Sequence, residues 1–297
     1  MFPDVIKACD EYTAKQIKNY PCHTNRASAI GDHCTRRLVY ERTRWQDKRK
    51  HSVDTEYIFD IGNLLERPVV ALLENAGYDI IRNQEPLSFI SKKKTLWTGH
   101  IDGVLIDKVT GFGEFVLEVK TMNPHVWETI NTPEDFQRYF WTKKYPAQLT
   151  CYMFELEIPR GIWILKNKSS GKMKQINYEL DYEFFETILQ KCESINQHIE
   201  DETLPDFLKG EPDHCELKCA YFHICNPPLD REPAKLIIDP LLINTVKELH
   251  ELEPHVTRYK YLRKEIEKKL AGTVKAFIGN YIFDNTAYQW AKKWTKL

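Results

Sequence analysis

The sequence predicts an α/β fold in which a mixed β-sheet is flanked by helices. Three observations support this prediction. Apolar residues have helical spacing over residues 55–76, strand patterns follow between residues 78 and 121, and helix and strand patterns then alternate as far as residue 199. Helices on both sides of one set of strands indicate a layered core with a mixed sheet.

The composition is that of a soluble globular protein without a strong net charge. The 297 residues are 42% hydrophobic and 29% charged, and 42 Lys+Arg balance 43 Asp+Glu. No global positive field marks a nucleic-acid binder, so contact with DNA has to come from a local patch. We expect a cytoplasmic protein without membrane association, because residues 1–12 lack a signal-peptide pattern and no apolar run reaches ~20 residues.

The first 54 residues are predicted to form a helical region. Residues 3–18 and 28–45 have helical patterns, and the second helix carries Cys34. Residues 35–51 contain seven basic and two acidic side chains. This basic segment is either a local contact for DNA or an ordinary solvated helix face. Its candidate nucleic-acid-binding residues are Arg36, Arg37, Arg42 and Arg44.

The predicted core begins with the helix over residues 55–76, which Gly77 ends and Pro68 is expected to kink. Strands are predicted over residues 78–82, 85–90, 96–106 and 115–121. Residues 123–145 are predicted to be a mobile, aromatic-rich connection. The remaining predicted elements are a helix over 146–156, strands over 160–165 and 172–178, a helix over 181–199, a loop region over 204–228, a helix over 240–271 and a hairpin over 274–297.

Two acidic residues and a lysine on neighbouring strands form the central candidate site. Asp102 follows Gly99-His100-Ile101, and Glu118 precedes Lys120 by two positions on the next strand. Residues two apart on a strand project from the same face, and antiparallel pairing brings Asp102 near Glu118. Two carboxylates suit Mg²⁺ or Mn²⁺, and a lysine beside them can orient a water and offset transition-state charge. The alternative is an ordinary surface hairpin, because Glu-x-Lys is common on strands.

Three further polar residues are candidates for the same pocket. Glu66 falls inside the apolar stripe of its helix, where a carboxylate is costly unless a cation or hydrogen bonds compensate it. We expect it to act as a further metal ligand, directly or through water, with an ion pair to an arginine as the alternative. Gln148 and Tyr152 share one helix face and can position a nucleic-acid backbone or the attacking water, unless Tyr152 is simply a core residue.

The cysteines indicate a second metal site. Eight cysteines in a protein expected in the cytoplasm favour metal ligation over disulfides. Cys34 stands alone, whereas Cys215, Cys219 and Cys225 form a late trio. Four thiolates hold either Zn²⁺, usually through two close pairs, or an iron–sulfur cluster. We expect the other cysteines to be buried small apolar residues, namely Cys9, Cys22, Cys151 and Cys192.

Together these motifs resemble the RecB-like branch of the PD-(D/E)XK nuclease superfamily over residues 57–199. The matching segments are Glu66, Gly99-His100-Ile101-Asp102, Glu118-Val119-Lys120 and Gln148-Leu149-Thr150-Cys151-Tyr152. The resemblance implies a restriction-endonuclease-like core over residues 55–199. Many CRISPR-associated members have His at the position of Glu66. The glutamate found here resembles the variation seen in phage-type RecB-like exonucleases.

The cysteine arrangement resembles the iron–sulfur subset of these nucleases, which includes CRISPR-associated exonucleases. Three residues separate Cys215 from Cys219, one more than is usual in that subset. The resemblance implies a [4Fe–4S] cluster subdomain in which Cys34 joins the trio, and Zn²⁺, or His214 as a substitute ligand, stays an open alternative. The implied domains are a helical region (1–54), the nuclease core (55–199), a cysteine region (200–230) and a helix-and-hairpin extension (231–297).

The function that this resemblance implies is a metal-dependent DNA exonuclease acting on single strands or ends in recombination, replication or CRISPR-type spacer processing. Glu66, Asp102 and Glu118 would hold Mg²⁺ or Mn²⁺, and Lys120, Gln148 and Tyr152 would be catalytic. A second hypothesis is an end-processing subunit of a larger complex with an integrase or recombination protein. A third is a DNA-binding module without catalysis.

Overall fold

The computed structural model describes residues 2–91, 93–208, 215–216, 218–226, 239–284 and 293–296. It divides into two compact units, Met1–Pro228 and Leu229–Leu297. In the described ranges, no helix combines the length and apolar character needed to cross a membrane. His214, the alternative ligand, lies outside the described residues.

The first unit combines a central sheet, a smaller sheet and their flanking helices. In chain order, its elements are α1 (Val5–Gln16), β1 (Asn25–Arg26), α2 (Ala27–Ile30), α3 (Thr35–Thr43), α4 (Val53–Asn75), β2 (Asp79–Ile81), β3 (Pro86–Ser91), β4 (Lys94–His100), β5 (Gly103–Asp107), β6 (Gly113–Met122), α5 (Pro124–Thr129), α6 (Tyr145–Glu155), β7 (Arg160–Asn167), β8 (Met173–Glu179), α7 (Tyr182–Glu200) and α8 (Phe222–Cys225). Short 3-10 helices cover Trp45–Asp47 and Pro133–Arg138.

The central sheet has five strands in the order β2-β5-β6-β7-β8. Its β6–β7 pair is parallel and the other pairs are antiparallel, which confirms the predicted mixed sheet with helical flanks. A parallel pair needs a crossover connection, and α5, the second 3-10 helix and α6 provide it. A separate sheet has the order β1-β4-β3.

The two faces of β6 belong to two different hydrophobic cores. Val116 and Met122 lie in the larger core, whereas Leu117 and Val119 lie in the smaller core beneath α4. Successive side chains on a strand alternate between faces. The even-numbered residues 118 and 120 therefore project toward the larger core, where α6 also packs.

The structure corrects two predicted elements. The strand predicted over residues 96–106 is broken at Ile101-Asp102, so that β4 belongs to the small sheet and β5 to the central sheet. At this break the Ile101 N–H donates to Glu85 O at 3.1 Å, in register with the β3–β4 pairs, so Ile101 still bonds to the chain of the small sheet and pairing with β6 begins only at Gly103. The helix predicted over residues 28–45 is divided into α2 and α3, because Asp32 Oδ1 accepts the Cys34 N–H at 2.9 Å and starts a new helix there.

Residues 123–145, which the sequence predicts to be mobile, instead pack against the larger core. Asn123 caps α5 by accepting the Val126 N–H at 2.9 Å. Phe136 is completely buried, and its ring centroid lies 4.7 Å from that of Trp163. The aromatic residues of this segment therefore contribute to the core, which a polarity pattern alone does not reveal.

Helix α4 buries much less of its apolar stripe than its spacing predicts. Val69 and Val70 are its buried residues, whereas Ile58, Ile61 and Leu64 are 54%, 45% and 73% exposed. Only the C-terminal half of this helix covers the smaller core, so the N-terminal half keeps its apolar side chains at the surface.

Among its described residues, 239–284 and 293–296, the second unit has one long helix and three antiparallel strands. These are α9 (Pro240–Lys269), β9 (Lys275–Ile278), β10 (Tyr281–Asp284) and β11 (Lys293–Lys296), with the sheet order β11-β10-β9. The predicted helix and hairpin are present, and a third strand extends the hairpin.

Candidate active site

Asp102 is held in place by the strand that carries the other candidate residues. The break between β4 and β5 turns its carboxylate toward β6, where Asp102 Oδ2 accepts the Val119 N–H at 2.7 Å. Its own carbonyl accepts Asn83 Nδ2 at 3.0 Å. Asp102 is 8% exposed, so its carboxylate is fixed beside the backbone that joins Glu118 to Lys120.

Glu118 and Lys120 are in direct contact on the larger-core face of β6. Lys120 Nζ donates to Glu118 Oε1, and these side chains are 19% and 1% exposed. The ring of Tyr145 lies 4.9 Å from Lys120 Nζ, a cation–π distance. Glu118 Oε2 is completely buried and has no hydrogen-bond partner. A buried carboxylate oxygen without a partner is costly, so this atom is suited to bind a cation.

Glu66 reaches the same site from α4 through a glutamine that sequence reasoning missed. Gln84 Nε2 donates to Glu66 Oε1, and the same side chain hydrogen-bonds Asp102. Gln84 has a positive φ of 55° in the turn before β3, which aims its amide between the two carboxylates. No sequence motif marks this residue; its only signal is a polar turn next to a strand.

Gln148 and Tyr152 line the α6 side of the site. Gln148 Nε2 donates to Tyr152 Oη at 3.4 Å, and the two residues are 5% and 1% exposed. The Tyr152 ring packs against Trp97 and against Gly99, where an added Cβ would lie 2.5 Å from Tyr152 Oη. Tyr152 is therefore a core residue whose hydroxyl points toward the acidic cluster.

The charges of this cluster influence one another strongly. Burial, and then Asp102, raise the pKa of Glu118 to about 8, although Lys120 opposes this change. Burial, and then Asp102, also raise the pKa of Glu66. Burial alone would lower the pKa of Lys120, but Glu118 and Asp102 raise it above its usual value. Three acids therefore surround one lysine that stays protonated.

The donor set fits a divalent cation, although the carboxylates are not gathered into a finished ligand shell. Glu66, Asp102 and Glu118 supply the hard oxygen ligands that Mg²⁺ and Mn²⁺ prefer, and Glu118 Oε2 has no other partner. Across the described part of the chain, no three His, Cys, Asp or Glu side chains form a ready metal-binding group. The assignment of these acids as ligands is therefore a proposal based on donor chemistry.

Electrostatic influences connect the four candidate cluster cysteines, although no three of them form a ready metal-binding group in the described residues. Burial is the largest influence that raises the pKa of the Cys34 thiol to about 11, and Cys219 and Cys215 act in the same direction. Burial also raises the pKa of Cys225, which Arg36 opposes and Cys219 reinforces. All eight cysteines are free. Four thiols from two chain segments match the donor set of Zn²⁺ or an iron–sulfur cluster, which stays a proposal.

Backbone and aromatic contacts hold the cysteine region against α3. The Arg49 N–H donates to Ala220 O at 3.0 Å, and the rings of Tyr40 and Tyr221 stack at 5.7 Å. Tyr221 is completely buried, so the loop that follows Cys219 is part of the first unit's core.

The other cysteines divide into two environments. Cys22, Cys151 and Cys192 are buried, but Cys9 is exposed. The expectation of burial is wrong for Cys9, because α1 contains no buried residue.

The candidate DNA-binding arginines mainly contact the protein itself. Their acceptors are Pro205 O for Arg36, Asp32 and Glu41 for Arg37, Asn25, Asn196 and His23 O for Arg42, and Asp47 for Arg44. Arg36 also lies 4.1 Å from the ring centroid of Phe207. Arg44 is 54% exposed. Contact with DNA stays a prediction for all four residues, and Arg44 is the best placed to reach a phosphate.

No protein-family model and no curated protein matches the chain. A solved structure designated SSO0001 is similar, with a TM-score of 0.44, 18% identity, and coverage of 76% of this chain and 96% of that chain. An alkaline exonuclease from Laribacter hongkongensis, LHK-Exo, has a TM-score of 0.42 and 14% identity, and the match covers 65% of this chain and 93% of that chain. The complex of LHK-Exo with dAMP has a TM-score of 0.41 and 15% identity, and the match covers 65% of this chain and 93% of that chain. Because TM-scores below 0.5 do not establish a common fold, function has to be argued from the site.

Proposed function

We propose that this protein is a divalent-metal-dependent deoxyribonuclease that hydrolyses phosphodiester bonds at single-stranded DNA or DNA ends. The observation that supports this function best is the buried, unpartnered Glu118 Oε2 in a cluster that also contains Asp102, Glu66 and Lys120. The order of these residues along the chain matches the motifs of the nuclease superfamily that the sequence resembles.

The protein side chains have separate roles in this proposal. Glu66, Asp102 and Glu118 hold Mg²⁺ or Mn²⁺, which supplies Lewis-acid activation of the phosphate and the attacking water. Lys120 is fixed between Glu118 and the Tyr145 ring, so its charge is placed to stabilise the transition state.

Two residues of α6 are proposed to position the substrate. The Gln148 amide and the Tyr152 hydroxyl lie within hydrogen-bonding distance of each other, and both can donate to a phosphate oxygen. Because both side chains are almost completely buried, they form a rigid wall.

The test of catalysis is cleavage of end-labelled single-stranded DNA with Mn²⁺ or Mg²⁺. Asp102→Asn keeps an acceptor for the Val119 N–H but removes the charge, so we expect loss of cleavage with DNA binding retained. Lys120→Met should lower the rate by about 10²–10³-fold. The matched controls are Asp79→Asn and Lys108→Met, an exposed ion pair between β2 and the turn that joins β5 to β6.

Metal binding, the effect of EDTA and the choice of substrate, measured beside this assay, decide the proposal. Direct Mn²⁺ titration should show weaker binding to Asp102→Asn, and EDTA should stop cleavage by the wild-type protein. Cleavage of linear but not circular single strands supports action on ends. Full activity in Asp102→Asn, or wild-type protein that binds DNA without cutting it in any divalent cation, refutes the hydrolase and favours the non-catalytic alternative.

For the cysteine site we propose a structural [4Fe–4S] cluster held by Cys34, Cys215, Cys219 and Cys225. Four thiolate ligands stabilise only the folded arrangement of α3 and the late loop. Anaerobically purified protein should be coloured and contain iron, and Cys225→Ser should lose both iron and thermal stability. Cys9→Ser is the control, because Cys9 is exposed on α1. Zinc without iron would favour the alternative metal.

A further inference from the structure

A second lysine lies beside the proposed catalytic site and belongs to none of its motifs. Lys144 is the cap residue of α6, and the ring of the next residue, Tyr145, lies 4.9 Å from Lys120 Nζ. The Lys144 carbonyl accepts the Gln148 N–H at 3.2 Å. A Cβ on Gly31 would lie 2.5 Å from Lys144 Cα, so α2 packs tightly against this point. The backbone of Lys144 is therefore fixed at the edge of the site.

The ammonium group of Lys144 is half-buried and surrounded by charges that do not neutralise it. Burial, and then Arg37 and Lys120, lower the pKa of Lys144, although Asp32 and Glu41 oppose them. Both acids are already engaged, because Arg37 donates to Asp32 at 2.8 Å and to Glu41 at 3.4 Å. Within the described residues, Lys144 Nζ has no hydrogen-bond or ion-pair partner.

An anionic ligand would offset both the burial of the Lys144 ammonium group and its repulsion by Arg37 and Lys120. A half-buried cation that is repelled by two others is unfavourable until an anion joins it. The α6 N-terminus adds partial positive charge at the same place, and no side chain caps it. The neighbouring cluster, in contrast, has three carboxylates against one lysine, so the phosphates of a DNA strand need another cation to approach it.

We propose that Lys144 binds a backbone phosphate of the substrate strand, next to the phosphodiester that is cleaved. The inference rests on the proposed nuclease function and adds a positioning residue to it. Lysine binds phosphate as a point charge, without sequence preference. Lys144 would thus hold the DNA strand in a position in which the next phosphodiester reaches Glu118 and Lys120.

The test is binding of a labelled single-stranded oligonucleotide in EDTA, measured by fluorescence anisotropy over a series of salt concentrations. Each phosphate contact contributes about 0.7 to the slope of log Kd against log salt for single strands. Lys144→Met should reduce the slope by about 0.7 and weaken binding equally for different sequences. Lys144→Arg should keep the wild-type slope, and Lys108→Met is the matched control, expected to leave it unchanged.

A thermal unfolding measurement separates this role from a structural one. Lys144→Met removes repulsion from Arg37 and Lys120, so we expect an unfolding temperature equal to or above that of the wild type. Lys144→Gln provides a second neutral variant if the methionine variant folds poorly. A wild-type salt slope in either folded neutral variant overturns the proposal.

These experiments distinguish failure of the Lys144 phosphate contact from failure of the proposed nuclease function. Wild-type protein that binds DNA but does not cut it, together with a reduced slope in Lys144→Met, refutes hydrolysis and supports the phosphate contact. Active wild-type protein with an unchanged slope in Lys144→Met overturns this inference alone. An equal loss of affinity for oligonucleotides with and without a 5′-phosphate supports a backbone contact, and a loss confined to the phosphorylated strand refutes it.

Discussion

Replacing Gly99 with alanine should disturb the proposed site through Tyr152. The new Cβ would lie 2.5 Å from Tyr152 Oη, 2.8 Å from Cε1 and 3.0 Å from Cζ, whereas ordinary contacts begin near 3.4 Å. The ring therefore has to move by about 1 Å to restore normal contacts. Tyr152 is 1% exposed and packs against the completely buried Trp97, so the surrounding core resists this movement.

The expected magnitudes follow from this overlap. Overpacking of a buried ring costs about 1–3 kcal/mol of unfolding free energy. A displacement of about 1 Å in a positioning group costs about 10²-fold in rate. We therefore expect Gly99→Ala to lose both stability and cleavage of end-labelled DNA, measured by urea denaturation and by single-turnover kinetics with Mn²⁺.

Gly62→Ala is the matched control. A Cβ on Gly62 would meet its nearest neighbour, Thr121 Oγ1, at 3.6 Å, which is an ordinary contact. Alanine in a helix interior is more favourable than glycine by about 0.5–1 kcal/mol, so this variant of α4 should gain stability and keep its activity. The two glycine substitutions should thus change stability in opposite directions.

A double-mutant cycle tests the contact itself. Tyr152→Phe removes the oxygen closest to the new methyl group, so Gly99→Ala should cost less stability in that background. The relief should be partial, because the Cε1 contact at 2.8 Å is still present. Wild-type stability and cleavage in Gly99→Ala, or an identical penalty in both backgrounds, would refute this reasoning.

Three further predictions concern the same unit. Phe136→Ala should cost about 3–5 kcal/mol in urea denaturation, because this completely buried ring packs on Trp163. Gln84→Gly removes the amide that bridges two carboxylates but suits the positive φ of that position, so Mn²⁺-dependent cleavage should fall about 10–100-fold with stability retained. Backbone N–H groups, and then Arg138, lower the pKa of Asp135 from 3.8 to about 2. Its stabilising effect is therefore complete above pH 3.8 and lost as the pH falls through 2, and the difference in denaturation midpoint between wild type and Asp135→Asn should vanish over that range.

Local patterns predicted those features that depend on residues close in the chain. The two-residue spacing of Glu118 and Lys120 places both on one strand face, and the neighbouring Val116 and Met122 lie in the core on that face. The mixed sheet with flanking helices was likewise predictable, because helix and strand periodicities differ clearly over residues 55–199.

Distant contacts changed the roles of several residues in ways that no local pattern shows. Arg37 belongs to a basic segment in the sequence, but folding pairs it with Asp32 and Glu41. Gln84 has no motif, yet a left-handed turn places it between two carboxylates. An apparently continuous strand is divided after Ile101, because β4 pairs with β3 whereas β5 pairs with β6.

The sequence by itself determined the set of chemical groups, their order along the chain and the strand face of Glu118 and Lys120. Tertiary structure decided which groups share an environment: it left Glu118 Oε2 buried without a partner and brought Lys144 to the edge of the cluster. The physical reason is that periodicity acts over a few residues, whereas burial and charge interactions depend on atoms that only folding brings together.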